Sequence, residues 1–366
     1  MTTKLRVVPY VLLLLPLDLA VVVAMLFSQL CVFVSSWFNK HKGTKTQTRH
    51  LTATVIIVSW DGKHLLSECL PSVIESIECA GGSHQILVVD NGSTDGSAQY
   101  IHDNFPEVRV LALDRNYGFA IGNNRGAVEA QTDIIVFLNN DMVVDPEFLR
   151  PLLKGFCDPS VFAVTSQIFF ADPTQRRQET GKTRARFEGG FFYFWHDAIT
   201  PEQENYETIP VFWAGGGSSA VDRRKFLAIG GFDPLYHPFY VEDADLSYQA
   251  WKRGWRCLLA PASRVVHKHR ATSKTKFGNR FVDNTIRKNQ YLFTWKNVTD
   301  IPMVLDHLVN LPRIHARSMI RNDPHFEIRA FLRAVRQLPQ ALVTRISNAA
   351  YYAVTDREVL AQSQKP

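Results

Sequence analysis

Apolar positions follow three different patterns along the chain. Val7 to Phe38 is almost continuously apolar. From Ala53 onward, short β-branched runs alternate with mixed segments. The runs at 53–58 and 85–89 predict buried strands, and those at 108–113 and 134–138 a third and a fourth strand. Between them, 63–79 predicts a helix with Leu66, Leu70, Val73, Ile74 and Ile77 on one side, and 119–130 predicts a shorter one. This βαβαβαβ rhythm predicts a parallel sheet with helices on both faces. It breaks down near residue 170. Residues 175–208 are polar, arginine-rich and then aromatic, and predict a long loop or short hairpins. A helix is expected over 243–253, with short strands at Cys257–Ala260 and Arg264–Val266. Pro302, Pro312, Pro324 and Pro339 then punctuate helical pieces. In the last third Ile328, Phe331, Val335, Leu338 and Leu342 share one helical face, with Arg329, Arg333 and Arg336 mostly elsewhere. Such a face can pack on the globular part or lie in a membrane interface. The N-terminal apolar segment tips the expectation toward the membrane.

That segment exceeds the roughly 20 residues needed to cross a bilayer. Asp18, Pro9 and Pro16 interrupt it, so a kinked or tilted single-pass anchor is expected, with a re-entrant hairpin as the alternative. Lys4 and Arg6 precede it; Lys40, Lys42, Lys45 and Arg49 follow. The heavier basic flank places the globular part in the cytoplasm, at an inner or plasma membrane. Asn297-Val298-Thr299 is a glycosylation acceptor triplet whose modification in a secretory host would contradict that orientation. Three regions follow: an anchor and basic linker (1–50), a globular domain (51–275) and a helical C-terminal region (276–366).

The net charge of +6 beside apolar segments fits an anionic membrane surface better than nucleic acid. The five cysteines have no CxxC spacing, which argues against a disulfide framework or structural zinc.

Candidate chemistry clusters at strand ends. In sheets of this kind ligands bind at the carboxyl ends of the strands, where Trp60, Asp90, Arg115 and Asp141 all fall. Asp90, followed by Asn91-Gly92-Ser93-Thr94-Asp95-Gly96, could accept the imide N–H of uracil or thymine or simply cap a turn. Arg115-Asn116-Tyr117-Gly118 opens a helix, where backbone N–H groups and an arginine suit a diphosphate. Asn139-Asn140-Asp141 ends the fourth strand, and its carboxylate could hold Mg²⁺ or Mn²⁺. Glu242-Asp243-Ala244-Asp245 crowds three carboxylates into four positions, a costly arrangement that proton transfer or a cation would explain. His267 could complete a metal shell. Ala214-Gly215-Gly216-Gly217 allows close approach of a substrate or makes a tight turn. Arg176, Arg177, Lys182, Arg184 and Arg186 form a solvated loop or meet a lipid-linked phosphate. Gly181-Lys182-Thr183 resembles the end of a phosphate loop, but position 176 holds Arg176 where that loop needs glycine.

Taken in order over about residues 53–270, these segments resemble the family 2 glycosyltransferases of GT-A fold, closest to bacterial rhamnosyltransferase-like members that build surface polysaccharides. The resemblance implies an α/β, mainly parallel, Rossmann-like sheet. It implies donor contacts drawn from Ser59, Trp60, Asp90, Asn91, Arg115, Asn116, Gly118 and Asn140, with the first three holding nucleobase and ribose. Asp141 matches the last position of the DXD metal motif, whose first position is here Asn139, and His267 a further ligand to Mg²⁺ or Mn²⁺. Asp243, with Glu242 beside it, matches the general base. Asp61 stands where the family usually has Asn. The implied reaction is inverting transfer from a dTDP- or UDP-sugar to a glycan hydroxyl. The apolar segment makes a polyprenyl-linked acceptor attractive. A Rossmann oxidoreductase is excluded, because Ser59-Trp60-Asp61-Gly62-Lys63 supplies no glycine fingerprint after the first strand. The rival function is a non-catalytic nucleotide-sugar-binding scaffold.

Overall fold

The four β-branched runs become four neighbouring parallel strands: β1 (Ala53–Ser59), β2 (Gln85–Asp90), β3 (Arg109–Ala112) and β4 (Ile134–Asn139), in the order β3-β2-β1-β4. The computed structural model describes residues 6–37, 51–172, 174, 179–268 and 277–365. The basic flank Lys4, Lys40, Lys42, Lys45 and Arg49, as well as Arg176 and Arg177, lies outside them. Ser59 pairs with Asp90 and Val58 with Asn139, so three strands end level on one rim. Helices α2 (Lys63–Ala80), α3 (Ser97–Asn104) and α4 (Gly118–Glu129) make the crossovers. Helix α2 buries Leu66, Cys69, Leu70 and Val73 on the sheet, as its spacing predicts. Each such side chain contributes about 1.5–3 kcal/mol.

Beyond β4 the sheet departs from the purely parallel pattern. The later elements are β5 (Met142–Val144), α5 (Leu149–Lys154), β6 (Val161–Phe170), β7 (Thr183–Glu188), β8 (Phe191–His196), β9 (Ile209–Pro210), β10 (Ser218–Asp222), α6 (Arg223–Ile229), α7 (Glu242–Lys252) and β11 (Arg256–His267). The order continues β4-β10-β6-β11-β5, with β10 antiparallel to both neighbours and β11 parallel to β6. The two short strands expected at 257–260 and 264–266 are one strand, β11, with its irregularity between Ala260 and Arg264. The register of β11 sets His267 opposite Met142, the residue after Asp141.

The 175–208 segment contains a separate hairpin, β7–β8. Here the phosphate-binding expectation is corrected for two residues. Lys182 is buried and donates to Ala198 O and Gln203 Oε1; Arg184 is buried and donates to Pro210 O and Ser363 O. Both cations are consumed by the fold.

The C-terminal third forms α8 (Asn279–Asn297), α9 (Ile301–Arg321), α10 (Pro324–Ala349) and α11 (Asp356–Gln362). The apolar face of α10 is turned toward protein, which corrects the expectation that it meets a membrane. Phe331 and Leu338 are buried, and the Phe331 ring lies 5.2 Å from Tyr291 and 5.9 Å from Trp295 of α8. Asn297 is fully buried and donates to Asp245, so a glycan on it is incompatible with this fold.

The N-terminal apolar segment is one helix, α1 (Val8–Trp37), with Pro16 inside it. It packs along α9 and α10. Asp18 is buried there, 2.9 Å from His315 Nε2. His315 Nδ1 lies 2.9 Å from Glu327, which Arg287 also grips. Burial alone would push the Glu327 carboxyl up; His315 and Arg287 reverse this and hold it at about 2.

Candidate active site

Three loops leave the level rim of β1, β2 and β4 and are tied to one another. Asn91 does much of the tying: its side chain donates to Asn116 Oδ1 and Gly118 O and accepts from the Tyr117 amide. Asn116 in turn accepts from the Gly118 amide at 2.8 Å. Asn91 and Asn116, two of the three asparagines expected at the donor, are thus brought together and hold the β3–α4 turn in shape. Arg115 and Arg125 both lie over the Tyr117 ring, 4.8 and 3.9 Å from its centroid. Asp90 is buried at the strand end and accepts from the Ser93 amide. Asp61, at φ 50°, accepts from the Thr94 amide. Trp60 beside it is 38% exposed, a broad ring offered at the rim. Ser59 accepts from Asn140 Nδ2 at 2.9 Å, which joins the first loop to the metal-motif loop.

Gly92 is indispensable to this arrangement. Its φ is +74°, and a Cβ there would lie 2.4 Å from the Arg115 backbone. Gly92→Ala should therefore cost about 1–3 kcal/mol and raise KM for the donor, measured by urea unfolding and initial rates.

The second half of the rim carries the carboxylates. Asp141 and His267 meet directly, Oδ2 to Nε2 at 3.1 Å, and His267 Nδ1 lies 3.2 Å from Glu179. Burial would push the His267 pKa down, but its hydrogen bonds to Asp141 and Glu179 carry it up to about 9. Asp141 Oδ1 is buried with no hydrogen-bond partner. That orphaned oxygen beside an imidazole nitrogen suits a divalent cation with two protein donors and the rest of its shell from phosphate and water. Among the described residues no three His, Cys, Asp or Glu side chains form a group that could hold a metal ion. Glu179 acts behind His267 as an orienting carboxylate.

Asp243 sits at the start of α7, beside the glycine loop. Its Oδ2 accepts from the Gly216 amide at 3.2 Å and its Oδ1 from the Ala244 amide at 2.8 Å. The next residue of that loop, Gly217, lies against Asn139; a Cβ on it would be 2.6 Å from the Asn139 amide. One turn of backbone therefore links the metal-motif loop to the acidic pair. Glu179 also raises the Asp243 pKa electrostatically, although burial contributes most. The loop that ends in Asp141 and the helix start that carries Asp243 are thus neighbours, through Asn139, Gly217 and Gly216. Glu242 is 7% exposed, has an Oε2 without a partner, and is pushed up to about 8, first by burial and then by Asp243.

Of the three crowded carboxylates, Asp245 does not face the site. It accepts from Tyr236 and Asn297 and pairs with Lys296 Nζ at 2.6 Å. The loop that delivers Glu242 and Asp243 is held from behind. Asn289 donates to the carbonyls of Tyr236, Phe239 and Tyr240, and Lys288 donates to those of Leu235 and His237. Tyr240 and Val241 take φ values of 70° and 79° immediately before the pair. Glu179, Lys288 and Asn289 have no signal in the local sequence.

Because Glu242 keeps its proton in the fold but loses it in the unfolded chain above its ordinary value, it contributes stability that is full below about pH 4.5 and is lost as pH rises toward 8. Glu242→Gln should flatten the fall in unfolding free energy across that window, as followed by urea titrations at several pH values.

A mainly parallel sheet with three strand ends level on one rim, an acidic strand end and a helix that opens on paired carboxylates has the GT-A architecture. Comparisons agree. Residues 54–229 match the Glycosyl transferase family 2 model, and this part of the chain belongs to that family. N-acetylglucosaminyl-diphospho-decaprenol L-rhamnosyltransferase of Mycobacterium tuberculosis is 29% identical over 208 residues, covering 51% of this chain and 67% of the relative. Human polypeptide N-acetylgalactosaminyltransferase 10 is 31% identical over 172 residues, 45% of this chain and 28% of the relative. Among solved structures, GalNAc-T7 with UDP, GalNAc and Mn²⁺ superposes with a TM-score of 0.53 at 21% identity, over 67% of this chain and 48% of that one. S. aureus TarS 1–349 in complex with UDP-GlcNAc gives 0.50 at 12% identity, over 82% of this chain and 90% of that one. These two likenesses bear on the fold.

Proposed function

We propose that the protein is a membrane-associated, inverting glycosyltransferase that moves a sugar from a dTDP- or UDP-sugar to a hydroxyl of a polyprenyl-linked glycan. The observation that carries this reading is the 3.1 Å meeting of Asp141 with His267, with Asp243 brought near through Gly216, whose neighbour Gly217 lies against Asn139. Trp60 and Asp90 present a ring and a carboxylate to the nucleobase, and the amino end of α4 faces the diphosphate. Asp243 takes the proton of the attacking acceptor hydroxyl. Its pKa, raised first by burial, makes it a stronger base than an ordinary aspartate. Glu242, neutral below about pH 8, leaves that negative charge without a charged neighbour in the pair. Asp141 and His267 would hold Mg²⁺ or Mn²⁺, whose charge would offset that of the departing diphosphate. The acceptor class is supported by the name of the mycobacterial relative and by the apolar helix α1, long enough to cross a bilayer by length and composition.

The test is nucleoside diphosphate release from a panel of nucleotide sugars, with and without Mn²⁺ and with a polyprenyl-diphosphate-linked sugar as acceptor. Acceptor-dependent release that needs the metal is expected; nucleotide-sugar binding without turnover on any pair would leave the scaffold reading instead. Asp141→Ala should raise the Mn²⁺ concentration for half-maximal donor binding by at least about tenfold, read by calorimetry rather than by turnover.

A further inference from the structure

Helix α1 has a seam. Its buried positions are Val7, Leu14, Asp18, Val21, Met25, Ser28 and Val32, spaced by threes, fours and one seven. That is the heptad spacing of a helix packed along other helices for its whole length. At one end Val7, Val8, Val11 and Leu12 line a groove with Ala316 and Ile320 of α9. In the middle Asp18 meets His315 at 2.9 Å. At the other end Gln29 donates to Thr299 O at 2.8 Å and accepts from Arg345. The outward side stays apolar and exposed, with Leu13 65%, Leu19 63%, Phe27 68%, Leu30 61% and Phe33 62% open.

Helix α9 extends this surface. Ile301, Leu305, Val309 and Ile320 are 57, 47, 79 and 40% exposed, and recur on one face together with Pro312 and Ala316. The groove shared with α1 makes the two apolar faces continuous. Along the side of the α9 stripe run Arg313, Arg317 and Arg321, all exposed.

Charge decides how this surface meets a bilayer. If α1 stood upright across the membrane in its docked position, α9 and α10 would be carried in beside it. Exposed Arg313, Arg317, Arg329 and Arg336 would then enter hydrocarbon, at about 2.5–3.5 kcal/mol each near its centre. Lying flat, the same body buries the apolar faces among acyl chains and leaves the arginine row at headgroup level. We infer that α1 and the outer stripe of α9 form one in-plane, single-leaflet membrane-binding surface edged by arginines for anionic headgroups, in place of a single-pass span. This refines the membrane association proposed above and is independent of the sugar chemistry.

The experiment uses the full chain with one epitope tag before Met1 and another after Pro366, expressed in a bacterial host. Sealed inside-out and right-side-out membrane vesicles are treated with protease. In-plane binding exposes both tags in the inside-out vesicles and neither in the others. Tags exposed in opposite vesicle types would overturn the inference and leave membrane association standing. Protein that stays soluble would overturn both. The stripe is tested by flotation of purified protein with phosphatidylglycerol/phosphatidylethanolamine vesicles. Leu305→Glu with Val309→Glu should weaken binding by about fivefold or more, with an unchanged unfolding midpoint. Unchanged binding would remove α9 from the surface. A dimer in vesicle-free buffer that the double variant dissociates would reassign the face to a second copy of the chain.

Discussion

Asp243→Asn is expected to lower the transfer rate by about 10²–10⁴-fold while donor affinity stays within about twofold of the parent. The amide keeps the shape of the carboxylate but only one acceptor oxygen, so it gives up the hydrogen bond from either Gly216 or Ala244, and it cannot take a proton. The site's other carboxylates do not replace it. Glu242 is protonated up to about pH 8, and Glu179 is engaged with His267. Single-turnover transfer and donor calorimetry on the same preparation separate the two effects. A rate within threefold of the parent would remove Asp243 as base. In the parent enzyme the rate should climb with pH through a pKa above the ordinary aspartate range, because burial favours the neutral acid. Measured at several pH values, Asp243→Asn should lose that limb.

The largest effect on stability is expected from Lys296→Met. The Lys296 ammonium lies 2.7 Å from Asp233 and 2.6 Å from Asp245, and is itself 2% exposed. Burial would lower its pKa, but the two carboxylates outweigh this and raise it. Removing the cation leaves two acidic groups facing each other out of water, at a cost of about 3–5 kcal/mol. The urea midpoint should fall accordingly. Adding Asp245→Asn to Lys296→Met should recover part of the loss, since the second change removes one of the two charges left unpaired. If the double variant is no more stable than the single one, the ion pair is not the source of the effect.

Sequence patterning revealed most where structure is locally encoded. β1, β2 and β4 are buried on the strength of continuous apolar runs, whereas β3, at the sheet edge, is only partly covered, and the chemistry at the strand ends falls on Ser59, Asp90 and Asp141 because chain direction fixes which end faces the rim. The later strands were harder. Ser218–Asp222 has no apolar alternation to mark it, yet it is the antiparallel strand β10 between β4 and β6. Pro261 divides the apolar pattern of β11 in two, and the bulge absorbs it. Glu179 belongs to a polar run without period; its place beside His267 is a product of tertiary folding, 88 residues away in the chain. The seam of α1 was hidden for the opposite reason. When nearly every position is apolar, hydrophobicity cannot show which side is inward. Asp18 was the one visible irregularity, and its partner lies 297 residues further on.

The grip of Asn289 and Lys288 on the backbone at 235–240 has a practical corollary for anyone trimming this chain. A fragment cut after the last sheet strand would keep every residue proposed to meet donor or cation, yet lose the brace behind Tyr240 and Val241. Such a fragment would also lose Lys296, the partner of Asp245, and the Phe293 ring packed on Phe192 and Tyr248, so its low turnover would report on stability and is easily mistaken for a missing acceptor.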